Sequence, residues 1–389
     1  MGVIRLIAIA LLVPALTLAA DGGRQRPPGV SGTVFLDTNG NGTLDAGEPG
    51  VGNVAVSNQI DVIATTGDGS YKLPGPGTGV VFVSVPDGHR AARFWARTDA
   101  GRADFALTRQ ATPQDFSFVH ASDTHVSAQS VARFERLRTW VGAERPAFVI
   151  VTGDLVQDAL RVSEAEARGY YDLYVKTAAT FPVPLWSVPG NHENFGIERH
   201  LSLVVSTHPL YGKGMYRSYL GPTYYSFTAG GIHFVGLDSV GVDDLWYYGH
   251  VDSAQLAWLK ADLALMPPTM PVVTFNHIPF VTAAESISGF REDGGGSIIR
   301  INGTPQYRHS VSNLAEVLAI LPSARWTLAL GGHIHRYETL RFASAVTTRF
   351  HQTAAIVGPT PGTIPALSGF TVYRVRGGAI DDGTFVPLQ

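Results

Sequence analysis

Aspartate, asparagine and histidine residues recur in five short motifs along the middle of the 389-residue chain. The motifs are Asp123-Thr124-His125, Gly153-Asp154, Gly190-Asn191-His192-Glu193, Asn276-His277 and Gly332-His333-Ile334-His335. Oxygen and imidazole donors suit divalent Zn, Mn or Fe, whereas Mg sites rarely include several histidines. A pair of such ions supplies hydroxide at neutral pH and clamps phosphoryl oxygens. The residue types therefore indicate a dinuclear site that cleaves phosphate esters.

Each motif follows a segment with the pattern of a buried strand. Apolar runs at 116–121, 147–152, 184–188, 271–275 and 326–330 alternate with helical patterns at 131–141, 164–179, 252–263 and 313–321. Alternating strands and helices build layered α/β domains, whose ligand sites lie at the carboxyl ends of strands. In an extended segment, side chains at i and i+2 point the same way, so Asp123 can converge with His125, and His333 with His335.

Any one of these motifs occurs by chance more readily than all five together. A single His-x-His or Asp-x-His is common without a metal, and Gly-Asp alone carries little information. Their joint occurrence at five predicted strand ends favours one site. One carboxylate must bridge the ions if they lie roughly 3.5–4 Å apart. The chain has no cysteine and neither a Gly-x-Ser-x-Gly nor a phosphate-binding Gly-Lys-Ser/Thr motif, so water is the expected nucleophile.

The order and type of the motifs resemble the calcineurin-like metallophosphoesterases, whose pattern is Asp-x-His, Gly-Asp, Gly-Asn-His-Asp/Glu, His, Gly-His-x-His. The resemblance covers residues 115–340 and implies a four-layer α/β/β/α sandwich around a dinuclear site. By position it implies a first metal held by Asp123, His125 and His335. It implies a second metal held by Asn191, His277 and His333, with Asp154 as the bridging ligand.

Two residues beside the ligand set also carry predictions. The resemblance places His192 near the leaving-group oxygen, where it stabilises or protonates that atom, and not on a metal. Glu193 is predicted to orient His192 by accepting a hydrogen bond, with a helix-start acid as the alternative. In purple acid phosphatases a Tyr stands three residues after the bridging Asp. Gln157 stands there in this chain, so a non-chromophoric site is expected.

Residues 31–110 contain short β-type runs separated by Gly and Pro, which is typical of a small β-sandwich. Within them, residues 37–48 match the twelve-residue calcium loop, with Gly at position six and Glu at position twelve. The loop lacks flanking helices and resembles the calcium-bearing loops of prealbumin-like sandwich repeats. Candidate calcium ligands are Asp37, Asn39, Asn41, Thr43, Asp45 and Glu48. The alternative is a calcium-free turn held by side chain-to-backbone hydrogen bonds.

The remaining boundaries follow from composition. Residues 1–20 have the basic start, apolar centre and small-residue end of a signal peptide, and 21–30 have the composition of a linker. This predicts a secreted or periplasmic protein without stable membrane insertion once the segment is cleaved. Residues 114–345 are predicted to form the catalytic domain, and residues 346–389 to add β-strands that complete or extend it.

The charge pattern limits the choice of substrate. The formal net charge is −3 and no run of Lys or Arg occurs, so long nucleic acids are not expected as partners. We expect a small phosphate mono- or diester. Alternatives are a nucleotidase or nuclease of the same fold, in which Tyr224, Tyr225, Phe280 or Phe290 stacks a base, and a surface-binding protein with a vestigial metal site. Substrate choice is expected in loops 194–222 and 283–310, where a second phosphate or a carboxylate could meet Arg291, Arg300, Arg308 or His309.

Overall fold

The computed structural model describes residues 29–110, 113–292, 296–342, 346–358 and 367–388. The predicted signal peptide at 1–20, and all but the last two residues of the predicted linker at 21–30, lie outside the described residues. No helix in the described ranges has the length and apolar character needed to cross a bilayer.

The amino-terminal region is all β, as predicted. Its strands are β1 (Ser31–Leu36), β2 (Ala55–Ser57), β3 (Val62–Ala64), β4 (Ser70–Lys72), β5 (Val80–Val83), β6 (His89–Ala91), β7 (Trp95–Arg97) and β8 (Phe105–Arg109). They form two four-stranded sheets with the orders β4-β1-β8-β6 and β3-β2-β5-β7. Val34 of the first sheet and Val56 of the second are both fully buried in one core.

The following elements alternate between strand and helix. They are β9 (Phe116–Ala121), α1 (Val131–Glu144), β10 (Phe148–Val151), α2 (Glu164–Ala178), β11 (Leu185–Ser187), α3 (Arg199–Ser202) and α4 (Gly214–Tyr219). Helix α2 begins where the hydroxyl of Ser163 accepts the amide of Glu166, and acidic residues in its first turn complement the helix dipole.

The rest of the chain contributes a second group of elements. They are β12 (Tyr225–Ala229), β13 (Ile232–Gly236), β14 (Val240–Asp243), β15 (Trp246–Gly249), α5 (Ser253–Ala264), β16 (Val272–Phe275), α6 (Ala284–Ser288), β17 (Ile298–Ile301), β18 (Thr304–Tyr307), α7 (Leu314–Ile320), β19 (Trp326–Gly331), β20 (Glu338–Leu340), β21 (Arg349–Gln352), β22 (Gly369–Arg376), β23 (Ala379–Ile380) and β24 (Thr384–Pro387).

Two six-stranded sheets form the centre of the catalytic region. One has the order β11-β10-β9-β22-β23, with β24 also paired to β22, and the other has the order β12-β13-β16-β19-β21-β20. Phenylalanine rings fill the space between them, with Phe234 of β13 lying 5.5 Å from Phe118 and 5.1 Å from Phe148 between ring centroids. Helices α1 and α2 pack on the first sheet, and α5 and α7 pack on the second. The predicted four-layer α/β/β/α sandwich is confirmed.

Strand direction sets the position of the site. Strands β9, β10 and β11 are parallel to one another, and so are β13, β16 and β19. The polar motifs lie in the loops that follow the carboxyl ends of these strands. Strand β22 pairs antiparallel with β9, and β21 pairs parallel with β19, so residues after 346 contribute strands to both sheets. The domain boundaries themselves stay predictions.

Candidate metal centre

The backbone at the site is left-handed at five non-glycine motif residues. Positive φ angles occur at Asp123 (53°), His125 (38°), Asp154 (48°), His333 (74°) and His335 (53°). Such angles are uncommon outside glycine, although Asp and His adopt them more readily than bulkier residues. We expected Asp123 and His125 to converge as alternate residues of an extended segment. They converge through a left-handed turn instead, because β9 has already ended at Ala121.

Asp123, His125 and His335, the predicted first ligand set, lie close together. The Oδ1 atom of Asp123 lies 3.2 Å from Nε2 of His335, and Nε2 of His125 lies 3.4 Å from the same nitrogen. One ligand atom of each residue lies within 4.8 Å of the others. Two imidazole nitrogens and a carboxylate oxygen therefore face a common point.

Asn191, His277 and His333 come together as a second set. The Nε2 atom of His277 lies 3.1 Å from Oδ1 of Asn191 and 3.2 Å from Nδ1 of His333. These residues follow three different strands, β11, β16 and β19. The convergence is therefore a product of the tertiary fold.

Asp154 lies between the two sets. Its Oδ1 atom is 3.2 Å from Nε2 of His277, and its Oδ2 atom is 3.5 Å from Nε2 of His125. Its side chain is only 3% exposed, so the carboxylate has little water to stabilise its charge. Each oxygen thus faces one ligand set, which is the arrangement that a bridging carboxylate requires.

Burial and nearby carboxylates shift the pKa values of the site histidines in different directions. Burial lowers the pKa of His125 to about 4 and that of His333 well below its usual range, so both imidazoles are neutral and have a lone pair to donate. Burial also lowers the pKa of His277, but the adjacent charge of Asp154 outweighs it and raises that pKa to about 9. The buried carboxylates of Asp123 and Asp154 therefore favour a positive charge at the point where the donor atoms converge.

His192 lies at the edge of the site, near Asp154. A carbonyl oxygen only accepts, so Nδ1 of His192 donates to Gln157 O at 2.9 Å and Nε2 is left facing the site, 3.9 Å from Oδ2 of Asp154. The backbone amide of His192 donates to Oδ1 of Asp154 at 3.0 Å. The ring orientation is thus set by main chain, and the Asp158 carboxylate lies 3.9 Å from Nδ1.

The hydrogen-bond partners of Glu193 differ from the predicted one. Its buried carboxylate accepts the amides of Leu155 at 2.8 Å, Val156 at 3.0 Å and Gly190 at 2.6 Å. Because Nδ1 of His192 bonds to Gln157 O, the prediction that Glu193 orients His192 is wrong. Burial raises the pKa of Glu193 to about 8, the charge of Asp154 acts in the same direction, and the amides oppose both. Glu193 positions the two loops that carry Asp154 and Asn191.

The calcium-loop candidates lie together on the surface of the amino-terminal region. The amides of Gly40 and Gly42 donate hydrogen bonds to the Asp37 carboxylate. The Asp45 carboxylate accepts hydrogen bonds from the side-chain amides of Asn39 and Asn41, which lower the pKa of Asp45. Further hydrogen bonds run from the Thr43 amide to Asn41 Oδ1, and from the amides of Thr38 and Asp45 to the Glu48 carboxylate. In the described part of the chain, the three carboxylates are not gathered within 4.8 Å. Calcium binding stays a prediction.

Some residues beside the site have no direct signal in the sequence. Tyr247, on the β14–β15 hairpin, has its ring centroid 5.8 Å from that of His333, and the His309 ring lies 5.1 Å from the same histidine. His309 was a candidate only as one of four basic residues in a long loop. The aromatic run 246–248 has no periodicity or spacing that indicates a role at the site.

Residues 116–337 match the sequence profile of the calcineurin-like phosphoesterase family. The match covers more than half of the chain, and the chain belongs to this family. The motif order, the two-sheet fold and the clustered donors described above agree with that membership.

Individual relatives are more distant. A probable glycerophosphodiester phosphodiesterase of Arcobacter nitrofigilis is 23% identical over 41% of this chain and 56% of its own length. A probable cyclic nucleotide phosphodiesterase of Rhodococcus erythropolis is 27% identical over 59% of this chain and 68% of its own length. A solved dimetal phosphatase from Danio rerio is 16% identical, with a TM-score of 0.46 over 70% of this chain and 98% of that chain. The chain thus spans little over half the length of the first relative.

Replacement of Gly190 by alanine tests the close approach at Asp154. A Cβ atom at Gly190 would lie 2.2 Å from Oδ1 of Asp154, so the carboxylate must move. We expect Gly190→Ala to weaken retention of divalent metal about ten- to a hundredfold, measured by elemental analysis after dialysis against graded chelator.

Gly169→Ala is the matched control, because Gly169 lies in α2 with nothing within 4 Å of an added Cβ. It should leave metal retention unchanged and stabilise the helix by roughly 0.5–1 kcal/mol. Equal metal retention in Gly190→Ala and the wild type would show that this close approach does not position Asp154.

Proposed function

We propose that the protein is a dinuclear metal-dependent phosphoesterase that hydrolyses a small phosphate mono- or diester. The observation that carries the proposal is Asp154, whose two oxygens face two separate sets of nitrogen and oxygen donors at 3.2 and 3.5 Å. The proposed ligands are Asp123, His125 and His335 for one ion and Asn191, His277 and His333 for the other. Mn, Fe and Zn suit this donor set.

The site requires no nucleophile from the chain itself. Two divalent ions make water a competent nucleophile at neutral pH and neutralise charge on phosphoryl oxygens. The residues contribute by fixing geometry: Glu193 holds the backbone at Leu155, Val156 and Gly190, and the glycine at 190 permits contact with Asp154. A preorganised site of this kind avoids reorganisation during the reaction.

His192 is the proposed partner of the leaving group. Its Nδ1 atom is held by Gln157 O, and Nε2 faces the site without belonging to either proposed ligand set. With both ring nitrogens protonated, Nδ1–H stays on Gln157 O and Nε2–H can donate a hydrogen bond, or give its proton to the departing alkoxide and leave the ring neutral. Such a contribution is worth roughly 10²–10⁴ in rate. In this proposal, metal binding and stabilisation of the leaving group are carried out by different residues.

Most of the aromatic residues considered for stacking a nucleotide base are buried in the core. Three of the four residues considered for base stacking, Tyr224, Tyr225 and Phe280, are at most 4% exposed and belong to the core, whereas Phe290 is 53% exposed. Recognition of a nucleotide by a stack of several aromatic residues is therefore not favoured. Two relatives described as phosphodiesterases favour a diester over a monoester as the first substrate to try.

Two further proposals rest on the sequence. Export to a secreted or periplasmic location follows from the signal-peptide pattern of residues 1–20, which lie outside the described residues. Structural calcium in loop 37–48 follows from its twelve-residue pattern. A surface-binding protein with a vestigial site is disfavoured by the complete set of converging donors.

Asp154→Asn tests the bridging role. Loss of the bridging charge should reduce bound metal and lower kcat/KM by at least about a thousandfold, because metal ions contribute several kcal/mol of charge stabilisation. The measurement compares bis(4-nitrophenyl) phosphate with 4-nitrophenyl phosphate after Mn, Zn or Fe is added back to metal-free protein.

His192→Ala is the matched control in the same assay. It should retain both ions and lose roughly 10²–10⁴ in rate, with the smallest loss for the best leaving group. Unchanged hydrolysis in Asp154→Asn would remove the bridging assignment, and a wild type inactive with every metal would contradict the proposed function.

Calcium binding is tested by measuring how CaCl2 changes the free energy of unfolding. With an extracellular-type Kd of about 10⁻⁴–10⁻³ M, 10 mM CaCl2 should stabilise the wild type by roughly 1.4–2.7 kcal/mol in urea unfolding at fixed Mn. The increment should vanish in Asp45→Ala and persist in Asp154→Asn. An increment that is absent in the wild type, or unchanged in Asp45→Ala, would favour the calcium-free turn.

A further inference from the structure

The four basic candidates in loop 283–310 have different surroundings. Arg300 is exposed and pairs with Glu292 at 2.7 Å. His309 pairs with Glu285, and Arg291 is exposed. Arg308 alone among the four is both buried and, among the described residues, without a carboxylate within 4.0 Å.

The guanidinium of Arg308 is held by aromatic rings and little else. It lies 4.3 Å from the ring centroid of Tyr247 and 5.3 Å from that of Trp246. The residue is 6% exposed, its Nε atom has no hydrogen-bond partner, and Nη1 has only the Gly296 carbonyl at 3.4 Å. Stacking on an aromatic face leaves the donor edge of an arginine available for an oxyanion. A buried cation with so few partners is unfavourable unless an anion joins it.

The surroundings of Arg308 connect it to the proposed metal centre. The Tyr247 ring contacts both Arg308, at 4.3 Å from its centroid, and His333, with 5.8 Å between the two ring centroids. The next residue, His309, packs its ring 5.1 Å from that of His333. Arg308 is thus one aromatic ring removed from a proposed ligand of the second ion. An anion bound there would be a different group of the substrate from the phosphate at the proposed metal centre.

We propose that Arg308 is a specificity-determining residue that binds a second oxyanion, a carboxylate or a phosphate, on the alcohol part of the ester. This inference rests on the proposed function, because it names a feature of the substrate for that site. Trp246, which is 40% exposed, and Tyr247 form the apolar side of the same subsite. The favoured substrate is therefore a phosphate ester whose alcohol carries negative charge.

The test uses two diesters that release 4-nitrophenolate and differ only in their second alcohol. One ends in a carboxylate, 4-nitrophenyl 3-carboxypropyl phosphate, and the other is its methyl ester. The wild type should prefer the carboxylate by at least about tenfold in kcat/KM, the effect of one charge-assisted hydrogen bond. A second pair, ending in a phosphate or a free hydroxyl, tells the two oxyanions apart.

In Arg308→Gln the preference should fall to near one through a higher KM for the carboxylate diester. Arg300→Gln is the control and should keep the wild-type preference, because its charge is already paired with Glu292. A preference that survives in Arg308→Gln overturns the proposal. Equal losses on both diesters also overturn it, because they would place Arg308 on the scissile phosphate or in the folding core.

If Arg308→Gln does not fold, Arg308→Lys provides the test. It keeps the charge without the planar donor edge, and should give a preference between those of the wild type and unity. An Arg308→Lys preference equal to that of the wild type would contradict a role for the stacked guanidinium.

A binding measurement keeps this proposal separate from the proposed function. Calorimetry of the Mn-loaded wild type with 4-phosphonobutanoate and with butylphosphonate requires no turnover. The carboxylate-bearing probe should bind about tenfold more tightly to the wild type and equally to Arg308→Gln. If neither diester is hydrolysed, the proposed function fails, while equal affinity for the two probes in the wild type refutes the oxyanion subsite.

Discussion

The carboxylate of Asp154 is buried between imidazoles that follow different strands, and the local structure is organised around that charge. Its two oxygens face His277 and His125, and the amide of His192 donates to one of them. A carboxylate so far from water requires positive charge nearby. The surrounding donors are suited to supply it by holding cations, since burial keeps His125 and His333 neutral.

The strand ends and turns around Asp154 hold its carboxylate in a fixed position. The carboxyl ends of two parallel strand groups meet at one edge, and the chain leaves several of them in left-handed turns at Asp or His residues. Left-handed residues of this kind each store about 1–3 kcal/mol of strain, which the sheets on either side must hold in place. Glu193 connects the loop after β10 to the loop after β11 through three amides, so Asp154 and Asn191 are held in a constant relative position.

Much of this was predictable from local patterns. The helix start at Asp252 is confirmed by its hydrogen bond to the Gln255 amide at 2.8 Å, and the strand-end motifs meet as their order indicated. Non-local features were not predictable. Strand β22 pairs with β9 across more than 250 residues, and the hairpin that places Tyr247 beside His333 carries no periodic signal. The partner of Glu193 depends on loop geometry, which spacing alone does not determine.

The proposed function depends on two metal ions that would bind on either side of Asp154. The most direct measurement is a crystal structure of the Mn-loaded protein with anomalous scattering recorded at the manganese edge. We expect two anomalous peaks, roughly 3.5–4 Å apart, each within bonding distance of one Asp154 oxygen. A single peak, or peaks that do not contact Asp154, would contradict it.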